Sequence, residues 1–134
     1  MLPEVKTLLI KSITETNALN PSSIHSLGRE AKHLVEDARH TIIKALNADL
    51  SKFNVIFTSS GTEANNTLIK GLNDNTDLFI SAIEHSSLLK PAKKRNNTFI
   101  IKVTNDGLID LNDLVQKLEH SKSTEKLISI MLAN

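Results

Sequence analysis

Short apolar runs alternate with helical patterns along most of this sequence, and this alternation restricts the fold more than any other feature. Runs rich in β-branched and aromatic residues predict strands at residues 54–58, 78–83, 98–103 and 127–132. Apolar residues at helical spacing predict the intervening helices at residues 62–71, 86–95 and 111–120. Strands that alternate with helices belong to parallel sheets. The sequence therefore predicts an α/β fold with a mainly parallel sheet.

The first 48 residues carry a different pattern, which predicts two helices. Apolar residues at helical intervals predict helices over residues 2–16 and 24–48. Turn-forming residues around Pro21 predict a loop between them. The chain has 134 residues, which is one domain at most, and it ends directly after a predicted strand. We therefore expect a single incomplete domain (1–134), with a helical N-terminal part at 1–48 and an alternating part at 49–134.

Residues 57–71 join a predicted strand to a predicted helix, and such a junction can bind an anion. The segment reads Phe-Thr-Ser-Ser-Gly-Thr-Glu-Ala-Asn-Asn-Thr-Leu-Ile-Lys-Gly. Gly61 permits a tight turn, and Thr62 is predicted as the N-cap. Unpaired amides at the helix start, with the hydroxyls of Ser59 and Ser60 beside them, can hold a phosphate group. Plain helix capping explains the same residues, and the Gly-Lys-Ser/Thr sequence of a Walker loop does not follow.

Composition excludes several classes of function. The sequence contains no cysteine, so these residues supply no disulfide, no thiolate nucleophile and no cysteine metal ligand. No metal site is predicted. The formal net charge is +1, and the one basic cluster has no interleaved aromatic residues, so we interpret it as a solvated helix end rather than a nucleic-acid site. That cluster comprises Lys90, Lys93, Lys94 and Arg95. No membrane span or signal peptide is predicted, and we expect a cytoplasmic protein.

Five short motifs follow one another along the chain. They are Asn20-Pro21-Ser22-Ser23 with His25, Gly28, Arg29 and Ala31; residues 57–71; Glu84-His85-Ser86-Ser87; Asp106-Gly107-Leu108-Ile109-Asp110-Leu111; and Ser129-Ile130-Met131-Leu132-Ala133-Asn134. In this order they resemble the pyridoxal 5'-phosphate (PLP) enzymes of the aminotransferase class V family, and most closely the cysteine desulfurases. The resemblance implies part of a large domain of the aspartate aminotransferase-like fold, preceded by two helices.

The resemblance also implies roles for particular residues. Gly61 and Thr62 would bind the PLP phosphate, which agrees with the anion site predicted from the helix start. His85 would stack on the pyridine ring of PLP, and Asn134 would hydrogen-bond its phenolic oxygen. Ser60 stands where the family usually has glycine, so we expect backbone strain there if this position requires a positive φ.

Other family features have no counterpart in this sequence. We expect an Ala-Thr-Thr motif before Pro3, and the Schiff-base lysine and the sulfur-accepting cysteine after Asn134, but the chain contains none of these. The resemblance therefore implies a fragment truncated at both ends, without catalytic residues. We do not expect catalysis by this chain alone.

The sequence leaves several functions open. The leading interpretation is the N-terminal PLP-binding portion of a cysteine desulfurase, an enzyme that mobilises sulfur from L-cysteine for iron–sulfur cluster or thio-cofactor assembly. One alternative is an interaction fragment that complements a separately encoded C-terminal half or a desulfurase subunit. Others are a fragment of a different class V aminotransferase-type enzyme, or a phosphate- or nucleotide-binding module. A homodimer and, in the parent family, an iron–sulfur scaffold are the further partners that the resemblance implies.

Overall fold

The structure is a computed structural model, and it describes residues 1–15 and 20–132. The chain divides into two compact units, Met1–Phe57 and Thr58–Asn134. The predicted single domain, with its division at residue 48, stays a prediction. None of the helices in the described part of the chain is long and apolar enough to cross a membrane.

The first unit contains two helices, as predicted. Helix α1 spans Pro3–Glu15 and helix α2 spans Ser26–Ala45. The side chain of His25 caps α2, because its Nδ1 accepts a hydrogen bond of 3.2 Å from the Gly28 amide. The helix ends earlier than the predicted residue 48, and Asn47 then adopts a left-handed φ of 52°.

Gly28 is required by the way the preceding loop packs on α2. A Cβ atom at this position would lie 2.3 Å from the carbonyl oxygen of Ser23. Gly28 is buried, so the loop can approach the helix only because a side chain is absent. The predicted loop over residues 17–23 agrees with the described residues 20–23, and residues 17–19 lie outside the described part.

The strand predicted at residues 54–58 is wrong. This segment has no regular secondary structure and pairs with no described strand. The guanidinium of Arg39 donates a hydrogen bond to the carbonyl of Val55 and lies 4.9 Å from the centroid of the Phe57 ring. A side chain therefore holds this apolar segment, and Ile56 remains 77% exposed.

The second unit has the predicted alternation of helices and strands. Its elements are α3 (Gly61–Gly71), β1 (Asp77–Ser81), α4 (Ser86–Ala92), β2 (Thr98–Ile101), α5 (Leu111–His120) and β3 (Lys126–Ser129). The strands form a sheet in the order β2-β1-β3. Both pairings are parallel, with Phe79 opposite Phe99 and Ile128. The predicted parallel sheet is thus confirmed, with three strands in the described residues.

The core of this unit lies between the sheet and the helices α3 and α4. Ile69, Leu78, Ile80 and Ala92 are fully buried and form one cluster. The rings of Phe79 and Phe99 stack with centroids 4.8 Å apart. All of strand β1 is buried, which is typical of a central parallel strand.

Several element ends differ from the prediction. Strand β2 ends at Ile101 rather than at residue 103, and Val103 instead forms an antiparallel bridge with Ile109 across the turn at Gly107, whose φ is 79°. Helix α4 ends at Ala92 rather than at residue 95, whereas α3 ends at Gly71 as predicted.

The interpretation of Arg95 as part of a solvated helix end is also wrong. Its guanidinium donates hydrogen bonds to the carbonyls of Leu72, Asn73 and Thr76. Arg95 therefore satisfies the carbonyl groups that follow α3, where the helix can no longer do so.

Candidate functional site

The predicted anion site lies at the N-terminus of α3, but its cap differs from the prediction. Ser60, not Thr62, is the N-cap, and its Oγ accepts a hydrogen bond of 3.2 Å from the Glu63 amide. The prediction failed because both hydroxyl residues suit the position. Ser60 has φ −165°, which is extended backbone, so the strain expected there is absent.

Glu63 completes this cap from inside the helix. Its Oε2 accepts hydrogen bonds from the Ser59 amide (2.7 Å) and the Ser59 hydroxyl (2.6 Å). Both bonds hold the pKa of the Glu63 carboxyl below its usual value, and the bond from the Ser59 hydroxyl has the larger effect. The arrangement resembles a capping box in which the carboxylate reaches one residue further back than usual. Glu63 is therefore occupied with the residues before the helix.

Gly61 and Thr62 keep free hydrogen-bond donors. As the first two residues of α3, their amides have no intrahelical acceptor. Within residues 1–15 and 20–132, the Thr62 hydroxyl also has no hydrogen-bond partner, and both residues are exposed. Two amides and one hydroxyl at the positive end of a helix dipole can bind an anion.

His85 lies at the start of α4, where its own ring caps the helix. Its Nδ1 accepts a hydrogen bond of 3.1 Å from the Ser87 amide and lies 2.7 Å from the Ser87 Oγ. A ring nitrogen that accepts from a backbone amide carries no proton, so the neutral ring holds its proton on Nε2. The ring is exposed, and this Nε2 side remains available.

Ser87 connects His85 to helix α3, and sequence reasoning missed this residue. The buried Ser87 Oγ accepts a hydrogen bond of 2.8 Å from Asn65 Nδ2. Asn66 Nδ2 donates to the Ser87 carbonyl (3.3 Å) and to the Thr62 carbonyl (2.9 Å). Two consecutive asparagines inside a helix were the available signal, because asparagine is unfavourable there unless its side chain has a specific partner.

A buried carboxylate supports the turn that carries His85. Glu84 is 5% exposed, and its Oε1 accepts hydrogen bonds from the Ser81 hydroxyl (2.9 Å) and from the Met131 amide. The side chain thus joins the end of β1 to the segment that follows β3. Asn134, the remaining predicted site residue, lies outside the described residues.

Three of the four predicted site residues, Gly61, Thr62 and His85, therefore belong to one linked arrangement of two helix starts. Hydrogen bonds through Asn65, Asn66 and Ser87 connect the segment of Gly61 and Thr62 to that of His85. This arrangement therefore offers hydrogen-bond donors that can bind an anion, together with an exposed imidazole ring. Among the described residues, no group of three His, Asp or Glu side chains is arranged to hold a metal ion.

Comparison with known proteins identifies the family of this chain. The aminotransferase class-V family model matches residues 2–134. Cysteine desulfurase IscS from Dictyoglomus turgidum is 38% identical over 86% of this chain, and the mitochondrial cysteine desulfurase of Saccharomyces cerevisiae is 30% identical over 98%. The structure of a NifS-like protein from Rickettsia africae matches the whole chain with a TM-score of 0.86 and 43% identity.

These matches cover only part of each relative. The chain spans 30% of the D. turgidum protein, 27% of the yeast protein and 37% of the R. africae chain. The fold predicted from the sequence, a partial α/β domain with a parallel sheet, is confirmed by the likeness to the R. africae structure.

Proposed function

Since the chain belongs to the aminotransferase class V family, we propose that it forms the N-terminal PLP-binding portion of a cysteine desulfurase. Such an enzyme mobilises sulfur from L-cysteine for iron–sulfur cluster or thio-cofactor assembly. The cytoplasmic location, the homodimer and the iron–sulfur scaffold partner belong to the same proposal.

One observation carries the proposal: the free donors of Gly61 and Thr62 and the exposed ring of His85 belong to two segments linked by Ser87. This donor set fits the cofactor. Two backbone amides and a hydroxyl at a helix N-terminus suit a dianionic phosphate ester. An exposed imidazole with its Nδ1 already occupied suits stacking on an aromatic ring, because its plane is held by the helix it caps.

In this proposal, the residues of this chain bind PLP and orient its ring. Gly61 and Thr62 hold the phosphate, and His85 limits the position of the ring. Glu84 keeps the His85 turn close to the segment that leads to Asn134, which would contact the phenolic oxygen. When bound, PLP supplies the electron sink that stabilises negative charge on the substrate.

The chemistry itself needs groups from outside these residues. Acceptance of sulfur requires a thiolate, and the chain has no cysteine. We infer that this portion provides binding and orientation, while the cofactor-linked lysine and the sulfur-accepting cysteine come from another segment. Catalysis by the 134 residues alone is not expected.

The test is an absorbance titration of the purified chain with PLP. We expect a saturable change in the cofactor spectrum that disappears in a double variant, Thr62→Ala with His85→Ala. A matched control is Thr67→Ala with His33→Ala, since both side chains are exposed and make no hydrogen bond within the described residues.

Borohydride reduction followed by mass analysis separates two origins of a spectral change. A change that persists in the double variant and becomes covalent after reduction reports surface lysines that react with the aldehyde, and it would contradict the proposal. An unchanged spectrum for the unaltered chain would contradict it too.

Exposed apolar surface favours a second candidate, in which this chain completes its fold with another polypeptide segment. Helix α1 has no buried residue, and Leu8 and Ile13 are 65% and 74% exposed. Strand β3 pairs only with β1 in the described sheet, so its other edge is free. We propose that a segment equivalent to the unmatched part of the R. africae chain covers these surfaces.

Co-expression tests this candidate. The tagged chain is expressed with the part of the R. africae NifS-like protein that it does not match. We expect co-purification that a Leu8→Asp, Ile13→Asp variant reduces and a Lys6→Asp control on the same helix does not. Equal capture of both variants, or none of the unaltered chain, would contradict the assignment.

A further inference from the structure

A cleft between α3 and α4 carries a second group of unpaired donors. It has a volume of about 270 Å³. Its lining consists of Thr62, Asn66, Lys70, Ser86, Ser87, Lys90, Pro91 and Lys94. His85 and Gly61 are not among these residues, so Thr62 is the only proposed PLP-contacting residue that also lines the cleft, while Asn66 and Ser87 link the two regions.

The lining follows from the spacing of residues on the two helices. Thr62, Asn66 and Lys70 recur every fourth residue on α3, and Ser86, Lys90 and Lys94 do so along and just beyond α4. Residues at this spacing lie above one another on one helix face. Eight residues of helix rise by about 12 Å, which sets the length of the cleft.

The charged residues that line the cleft are all positive. Lys70, Lys90 and Lys94 form no salt bridge within the described residues, although carboxylates pair with other lysines of this chain. The hydroxyls of Thr62 and Ser86 likewise have no hydrogen-bond partner there. No carboxylate lines the cleft. Three positive charges concentrate in one place on a chain whose formal net charge is only +1.

The floor of the cleft is held in place before any ligand arrives. The Asn66 side chain donates a hydrogen bond to the Ser87 carbonyl across the two helices, and the lining residues Ser87 and Pro91 are buried. A ligand therefore meets a formed surface and does not have to order it, which reduces the entropic cost of binding.

We propose that this cleft binds a small molecule that carries a diphosphate group. Its volume suits a small ligand rather than a nucleic acid, and no aromatic side chain is present to stack a base. A diphosphate matches the excess of donors, because it carries several negative charges and many acceptor oxygens, and lysine binds phosphate as a point charge. Free pyrophosphate and a nucleoside diphosphate share this chemistry.

Isothermal titration calorimetry of the purified chain tests the proposal, with pyrophosphate, ADP and orthophosphate as separate probes at low and moderate salt. We expect saturable binding of pyrophosphate, weaker binding of orthophosphate, and loss of affinity as salt rises. Equal affinity for ADP and pyrophosphate identifies the diphosphate as the recognised group, and tighter binding of ADP assigns the ligand to a nucleotide.

Charge-matched variants test whether pyrophosphate binds in this cleft. Lys70→Gln with Lys90→Gln should weaken pyrophosphate binding by about tenfold or more, because two charge-assisted contacts are lost. Lys6→Gln with Lys122→Gln removes the same charge from exposed positions outside the cleft and should leave the affinity within about twofold. Circular dichroism verifies that both variants fold.

Three results would overturn the proposal. They are the absence of saturable binding, equal weakening in both double variants, and loss of binding in Thr62→Ala while the lysine variant binds normally. The last result would place the anion at the cofactor phosphate position. PLP titrations follow a different signal, so failure here leaves the proposed function untouched, and the reverse also holds.

Discussion

Replacing Ser87 by alanine removes the one hydroxyl that joins the two helix starts of the site. Ser87 is 6% exposed, and its Oγ both accepts from Asn65 Nδ2 at 2.8 Å and lies 2.7 Å from His85 Nδ1. A typical hydrogen bond contributes about 0.5–1.5 kcal/mol to stability, so two bonds correspond to about 1–3 kcal/mol. Because His85 is exposed and Asn65 half-buried, water can replace part of what is lost. We expect a loss of about 1–2 kcal/mol in the free energy of unfolding.

Urea unfolding followed by far-UV circular dichroism measures this loss, since the chain has no tryptophan or tyrosine for fluorescence. The control is Ser86→Ala, which removes an exposed hydroxyl without a hydrogen bond in the described residues and should change stability by less than about 0.5 kcal/mol. An additional Asn65→Ala change then tests the coupling: its effect should be smaller in the Ser87→Ala background. Equal stability of Ser87→Ala and Ser86→Ala would refute the structural role assigned to Ser87.

Three further predictions concern stability. Gly28→Ala should lower the free energy of unfolding by about 1–3 kcal/mol, because its Cβ would lie 2.3 Å from the Ser23 carbonyl oxygen. The control is Gly71→Ala, whose Cβ meets no atom within 4 Å, so this change should be neutral or stabilising. Thermal unfolding compares the two variants. Ile69→Ala should cost about 2–5 kcal/mol because the side chain is fully buried, and Leu68→Ala, half-exposed, should cost far less. The Lys117 ammonium and the Lys102 amide lower the pKa of Asp113, so its contribution is complete above the ordinary carboxyl pKa and is lost as pH falls through the lowered value. Urea midpoints should therefore fall more steeply with acid for the unaltered chain than for Asp113→Asn.

The elements predicted well are those with both a periodic pattern and a local boundary signal. Helix α5 has the predicted bounds because Asp110 caps it, accepting from the amides of Asn112 and Asp113. The parallel sheet followed from the alternation of patterns. Both features depend on interactions between residues that are close in sequence or on a general rule of topology.

The incorrect or missing predictions concern features that depend on residues distant in the sequence. Residues 54–58 have strand composition, but a strand needs a partner, and here Arg39 binds the Val55 carbonyl from 16 residues away. Similarly, Arg95 has the composition of a charged surface but bonds to carbonyls about 20 residues earlier. Ser87 and Glu84 were not predicted as supports for His85, because their partners Asn65 and Met131 are distant in sequence.

The linked helix starts place the proposed cofactor-binding residues in one part of the chain. In the part of the chain that the structure describes, the hydrogen bonds that order the segment of Gly61 and Thr62 relative to that of His85 lie within residues 58–132. The donors and the imidazole can therefore take their positions without the two-thirds of the relatives' length that this chain does not match. The thiolate that sulfur transfer requires cannot come from these residues, because cysteine is absent. Under the proposed function, we therefore expect the chain by itself to bind PLP without turnover, and we expect turnover only when another segment supplies the lysine and the cysteine.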